Sequence, residues 1–248
     1  IVTKVARFPF DKFSDASNEL GTQMKATGEV MSAGRTFEEG LLKAIRSLET
    51  GVCHVYHKKF DTMSIEGILA YIRKGTDDRI YAIAELIRRG VDLLHVYDNT
   101  KIDLFFLEKL KNIVEMESVV KANVRDIAIL KEAKRMGFSD KFIGRLWDMT
   151  ESEVFLLRKA NNIFPVYKMI DTCAAEFEGT VPYFYSTYEA ENESIVSDKE
   201  KIIVLGSGPI RIGQGVEFDY STVHAVQTIK ASGYEAIIIN NNPETVST

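Results

Sequence analysis

The rhythm of apolar positions divides the chain into stretches of different character. It opens on a strand-like run, IVTKVARF, and is turn-rich to about residue 21. Thr36 then starts a helix with a capping-box signature, since Glu39 lies three residues on. Phe37, Leu41, Leu42, Ala44, Ile45 and Leu48 follow at helical spacing, and Gly51 closes the segment. From about 52 to 163 the pattern predicts about six short helices. Ser64 caps one that ends near Gly75. Thr76 and Asp77 cap IYAIAELIRR, which stops at Gly90. Thr100 caps KIDLFFLEKLKNIVEME, and Asn123 caps RDIAILKEAKRM up to Gly137. Ser139 caps DKFIGRLWDM, and Thr150 with Glu153 forms a second capping box before VFLLRKA. No sustained period-2 alternation interrupts this block, so it reads as all-α. Helices this short hold only by packing together, which makes the block one cooperative unit of domain size.

Residues 164 to 199 break the helical pattern and hold much of the aromatic content. They read as an extended connector, with EAENES its most linker-like stretch. From Lys201 the rhythm changes again. IIVL is a short buried strand, GSGPIRIGQG a glycine loop, VEFDYSTVHAVQTIKA a helix stopped by Gly233, and EAIIIN a second buried strand. Strand, loop, helix, strand is a β-α-β unit, which implies a parallel sheet. One such unit leaves apolar faces poorly covered, so further strands are expected beyond Thr248. The first residue is not Met, and the chain stops just after an expected strand; both ends read as cut.

Composition narrows the class. The chain has 248 residues, 45% apolar and 27% charged, with a net charge of −5. These are values of a folded globular protein, and the acidic balance argues against a nucleic-acid partner. No apolar run reaches the roughly 18–20 residues a membrane span needs, and no signal-peptide layout precedes the first strand. Two cysteines, Cys53 and Cys173, make no disulfide framework and point to a reducing compartment.

The glycine loop carries the most chemistry. Gly206, Gly208, Gly213 and Gly215 let backbone approach a ligand, and the loop feeds a helix N-terminus, where free amides favour an anion. Two details count against a dinucleotide site: Arg211 stands where the third glycine belongs, and the second strand ends in Asn240 and Asn241 rather than Asp or Glu. No Gly-Lys-Ser/Thr follows, so it is not a Walker loop. Arg211 has the chemistry to meet a phosphate or carboxylate, or to be a surface cation. The plainer alternative is a tight β-α turn whose glycines serve packing only.

At this loop the sequence resembles a known family. GPIRIGQGVEFDYSTVHA with IIINNNPETVST resembles the opening of the second half of the carbamoyl phosphate synthetase large chain. TQMKATGEVMSAGRTFEEGLLKAIRSLE resembles the close of its first half, and VYKMIDTCAAEF the exit from its helical middle domain. The three stretches occur in family order. The resemblance implies a mainly α helical bundle domain flanked by an α/β remnant, one Rossmann-like β-α-β unit of a pre-ATP-grasp domain. It implies residues 1–51 as the end of the first synthetase half, 52–165 as an all-α oligomerisation domain, 166–199 as a connector and 200–248 as the start of the second half.

It further implies that the parent is a cytoplasmic ligase of arginine and pyrimidine synthesis. That ligase makes carbamoyl phosphate from bicarbonate, ammonia and two ATP, with Mg2+ or Mn2+. The ammonia comes from glutamine on a separate glutaminase small subunit. Carbamate passes between the halves through a tunnel that excludes water. Residues matching the tunnel wall are Met24, Glu29, Gly215, Glu217 and Glu244; glycine leaves room, and Met is an adaptable apolar liner. The expected anion loop is Gly206, Gly208, Arg211, Gly213 and Gly215. No catalytic residue, metal ligand or cofactor is expected within these residues, and the piece alone is expected to be inactive. The alternative is an independent helical interaction module with a nucleotide-binding β-α-β tail.

Other candidates read as structural. Cys53, His54 and His57 lack a fourth ligand at suitable spacing for zinc. His95 stands alone, His224 sits in a helix, Trp147 reads as core, and the clusters KEAKR and IRR read as solvated faces.

Overall fold

The computed structural model describes the chain apart from residues 14, 172, 174, 175, 178, 180, 207, 209–216 and 241–248 and the side chains of 217 and 218. Strands β1 (Val2–Arg7) and β2 (Gly28–Ala33) pair antiparallel, with Val2 opposite Ala33 and Arg7 opposite Gly28. The sequence pattern did not predict β2. Its inward positions are Val30 and Ser32, so a polar residue breaks the alternation. The Ser32 hydroxyl is satisfied by donating to Gly40 O at 2.6 Å. Helix α1 (Phe37–Ser47) lies on this ribbon. Gly40 permits the close approach, because a Cβ there would stand 2.6 Å from Thr3 Oγ1.

Thr36 caps α1 as expected, accepting from the Glu39 N–H. The capping box is not reciprocal, however. The Glu39 carboxylate accepts from the Arg35 N–H instead, and pairs with Lys43 one turn on. One face of α1 joins Val30 in a small core through Ala44 and Leu48. The other sends Leu41, Leu42 and Ile45 into the main core. Packing therefore runs across residue 51, where the sequence placed the end of the first half.

The helices that build the rest of that core are α2 (Ile65–Ile72), α3 (Arg79–Arg88), α4 (Leu93–Thr100), α5 (Leu104–Ala122), α6 (Ile127–Arg135), α7 (Asp140–Trp147) and α8 (Glu151–Ala160). A single 3₁₀ turn, Lys58–Phe60, precedes them. The block is all-α among its described residues, as the pattern predicts. Its largest fully buried side chains include Phe60, Phe138, Ile83, Leu107, Ile113 and Ile143. The 19-residue α5 forms the spine, contacting α1, α3, α4, α6 and α7. Trp147 is core, its indole N–H satisfied by Val120 O at 2.6 Å.

Caps at Ser64, Ser139 and Thr150 are as expected, and the Thr150–Glu153 box is reciprocal. Three others fall on the nearest Asp downstream. Asp103 rather than Thr100 caps α5, and Asp126 rather than Asn123 caps α6. Asp78 rather than Thr76 or Asp77 precedes α3, without a side-chain bond. Thr100 instead ends α4, a helix absent from the sequence reading, and its hydroxyl donates to Val96 O. At Asp103 and Asp126 the short carboxylate accepts from the N2 and N3 amide respectively, the bond that fixes those helix starts.

The connector is partly a sheet: β3 (Val166–Met169) pairs antiparallel with β4 (Phe184–Thr187). The last unit has the expected order of elements, but its strands are not buried as the sequence pattern predicts: β5 is mostly exposed, because nothing among the described residues covers its apolar face. Strands β5 (Lys201–Leu205) and β6 (Glu235–Ile239) pair parallel in register, joined through α9 (Glu217–Ala231). Gly233 takes φ +89° just after α9, the left-handed stop that glycine adopts without strain.

The basic clusters are in part a correction. Lys131 and Arg135 of KEAKR are exposed, as expected, but Lys134 is not, and both arginines of IRR are half-buried. Lys134 is buried, donating to Asp140 Oδ1 at 2.7 Å and Phe138 O at 2.8 Å. Arg88 and Arg89 are spent on Glu85, Glu117 and loop carbonyls. Charge periodicity alone does not show that a cation's partner lies on another helix.

Candidate functional site where the glycine loop meets the first helix

The loop leaves β5 at Gly206, whose N–H donates to Ile239 O at 2.7 Å, continuing the parallel ladder by one bond. A Cβ on Gly206 would lie 2.6 Å from Asn240 Cγ, so glycine is required for the two strand ends to approach. Gly208 takes φ +72°, and a Cβ there would lie 3.1 Å from Glu49 Oε1. Glu49 stands just past the C-terminus of α1 and itself takes φ +54°. The start of the β-α-β unit thus rests against the end of the helix that closes the N-terminal ribbon.

The remaining expected residues fall in different places. Glu29 is on β2 and pairs with Lys4 of β1. Met24, between β1 and β2, is 92% exposed and so is not buried against any of the others. Glu217 is the first residue of α9. Its side chain lies outside the described residues, as do Arg211, Gly213, Gly215 and Glu244. Among the loop glycines, the structure brings Gly206 and Gly208 together and adds Glu49. The sequence reading had passed over Glu49. Its signal was weak: a non-glycine residue at a helix end, two before Gly51.

Around α1 and the helical core run buried charges. Arg46 donates to Gly137 O at 2.7 Å, and Gly137 permits the approach, since a Cβ there would lie 2.9 Å from Glu39 Cα. Burial pushes the Arg46 and Lys43 cations down from their ordinary values. Asp140 bridges Lys134 and Arg158, each at 2.7 Å. Burial pushes the Lys134 ammonium down to about 8, which still leaves it charged at neutral pH.

His54 stacks on Phe142 with ring centroids 3.6 Å apart. Its Nε2 lies 3.0 Å from Glu117 Oε1. Burial pushes the imidazole down to about 4, so at neutral pH the neutral ring donates Nε2–H to a carboxylate. Burial also raises the Glu117 carboxyl, but hydrogen bonds from Arg88 and His54 outweigh it and hold it below its ordinary value. Its Arg88 contacts are 2.7 and 2.9 Å. His54 is thus a core residue, as its spacing suggested. His57 caps the 3₁₀ turn, and His224 meets Tyr220 edge-on. Among the described residues no three His, Cys, Asp or Glu side chains converge as metal ligands.

Residues 29–162 match the model of the carbamoyl-phosphate synthetase large chain, oligomerisation domain, which covers more than half of the 248 residues. The chain belongs to the carbamoyl phosphate synthetase large-chain family. Residues 198–248 match a second model of that synthase, its preATP-grasp domain. The helical block and the β-α-β unit are thus two successive domains of one large chain, a ligase that makes carbamoyl phosphate. Among the described residues no helix is long and apolar enough to cross a membrane.

Proposed function

We propose that this chain is the bridge between the two halves of a glutamine-using carbamoyl phosphate synthetase, and that it forms part of the enclosed path by which carbamate passes from one half to the other. The observation that carries the reading is the order of domains: an oligomerisation domain over residues 29–162 is followed, after a connector, by a pre-ATP-grasp domain over residues 198–248. The glycine loop of the second rests on the last helix of the N-terminal ribbon, through Gly208 and Glu49.

In this reading residues 1–51 end the first half, 52–165 hold copies of the enzyme together, and 200–248 begin the second half. Met24, Glu29, Gly215, Glu217 and Glu244 line the carbamate path. Glycine at 215 leaves the bore open, and enclosure keeps water from a short-lived intermediate. The exposure of Met24 means that its cover comes from other parts of the complete enzyme. The glutaminase small subunit is the partner that supplies ammonia, and the enzyme works in the cytoplasm for arginine and pyrimidine synthesis. ATP and its divalent metal ion supply the phosphoryl chemistry of the complete enzyme. In this reading nearly all of both ATP-using halves lies outside this chain, so the chain alone is inactive; bicarbonate-dependent ATP cleavage by it would overturn that.

The test is Gly215→Leu in the complete synthetase. ATP cleavage continues in each half while carbamoyl phosphate output falls. Normal output removes Gly215 from the path.

A further inference from the structure

We propose that Glu49 is a positioning residue that sets the distance between the two ends of the carbamate path; this rests on the function proposed above. Three features converge on it. First, its carboxylate lies flat against Gly208, with Oε1, Cδ and Oε2 at 3.1, 3.5 and 3.6 Å from where a Cβ would stand. Gly208, at φ +72°, turns its bare Cα toward that carboxylate, and any side chain there would be strained and would push it away.

Second, Glu49 adopts φ +54°, a left-handed conformation that strains a non-glycine residue. That conformation swings the side chain out of the line of α1 and toward the loop. Its N–H still bonds Arg46 O at 3.3 Å, so the strained residue is tied to the helix end.

Third, the helix carrying Glu49 is held on both sides. Leu48 and Ala44 pack on Val30 of β2, next in the strand to Glu29. Leu41, Leu42 and Ile45 are locked in the helical core, and Arg46 is bonded to Gly137 O. A group placed at the end of so firmly packed a helix is held more rigidly than one on a loop. Glu29 on β2 and the glycine loop leading to Gly215 therefore share one reference point, the end of α1.

Glu49 touches no reacting group in this account. Its loss should disturb transfer between the halves rather than the chemistry of either. The experiment uses the complete synthetase with Glu49→Ala and the milder Glu49→Gln. Three rates are read: bicarbonate-dependent ATP cleavage, formation of ATP from ADP and carbamoyl phosphate, and net synthesis of carbamoyl phosphate. The first two are the half-reactions. In Glu49→Ala both stay close to the parent, while ATP cleaved per carbamoyl phosphate made rises by about tenfold, the scale on which small misplacements act. Glu49→Gln keeps the shape and shows a smaller rise. If all three rates fall in proportion, or the ratio stays at its parent value in both variants, Glu49 has no positioning role. If the unmodified enzyme makes no carbamoyl phosphate, the function proposed above fails, and this inference with it.

Discussion

The helical block and the β-α-β unit are built from similarly apolar sequence but dispose of it in opposite ways. In the block, Phe60, Ile68, Ile83, Leu107 and Ile143 are fully enclosed, and eight helices, α1 to α8, share one core. In the β-α-β unit the strands show their apolar side chains to solvent. Leu205 is 75% exposed and Ile203 57%, and Ile239 is exposed as well. Parallel strands are normally buried on both faces, so residues of this kind need layers on either side. An open cavity of about 480 Å³ between α9 and β6, lined by Val226, Tyr234, Ala236 and Ile238, marks one such uncovered place. The comparison teaches that the block closes a core of its own with α1, although Leu94, Phe106 and Leu156 on its surface stay exposed, while the strands of the β-α-β unit close none. The β-α-β unit, matched to a pre-ATP-grasp domain, leaves its parallel strands open to solvent among the described residues.

The contrast can be broken most forcefully in the block. Phe138 is 1% exposed and packs on His54 and Phe142. Phe138→Ala should cost about 3–5 kcal/mol, read as a lowered denaturant midpoint. Close behind comes Glu117→Ala, which strands Arg88 and His54 in the core and should cost about 3 kcal/mol.

Acid gives the next effect. In the unfolded chain His54 takes a proton near its ordinary 6.5, and in the fold only near 4. Between those values the unfolded chain binds the extra proton. Stability present above pH 6.5 should therefore fall as pH drops toward 4, by about 3 kcal/mol at most. Glu117, held low, adds to the loss at still lower pH. His54→Gln keeps a donor for Glu117 and should flatten the slope between pH 6.5 and 4; an unchanged slope assigns it to other groups. The smallest effect should come from the β-α-β unit. Ile203→Ala on β5 should change the stability of this chain by less than about 0.5 kcal/mol. A loss as large as that at Phe138 would mean that the two regions do not differ.

How much of this was legible in the sequence follows the same division. Helices with a repeating apolar face and glycine stops, such as α2, α3 and α6, were legible. So was the β5–α9–β6 unit, because a glycine loop between two β-branched runs has few other readings. β2 escaped because its inward Ser32 looks polar until its bond to Gly40 O is known. The Lys134 and Arg88 clusters were misread because their partners, Asp140 and Glu117, lie on other helices. Glu117 did leave a trace: with Ile113 and Val120 it occupies the apolar spacing of α5, and a lone acid on such a face points to a buried partner. Of the candidate site, the loop was legible from its glycines. Glu49 was not, because its role comes from a contact across more than 150 residues of chain.

Hydrogen exchange on this chain tests the difference between the two regions most directly. Amides in the middle of α5, from Leu107 to Val120, and of α3 should exchange only through global unfolding. Those of Ile202–Leu205 and Ala236–Ile239 should exchange at least about a hundredfold faster, through local opening of an uncovered sheet. Equal protection in the two regions would contradict the claim that the helical block encloses a core while the strands of the β-α-β unit lie open to solvent.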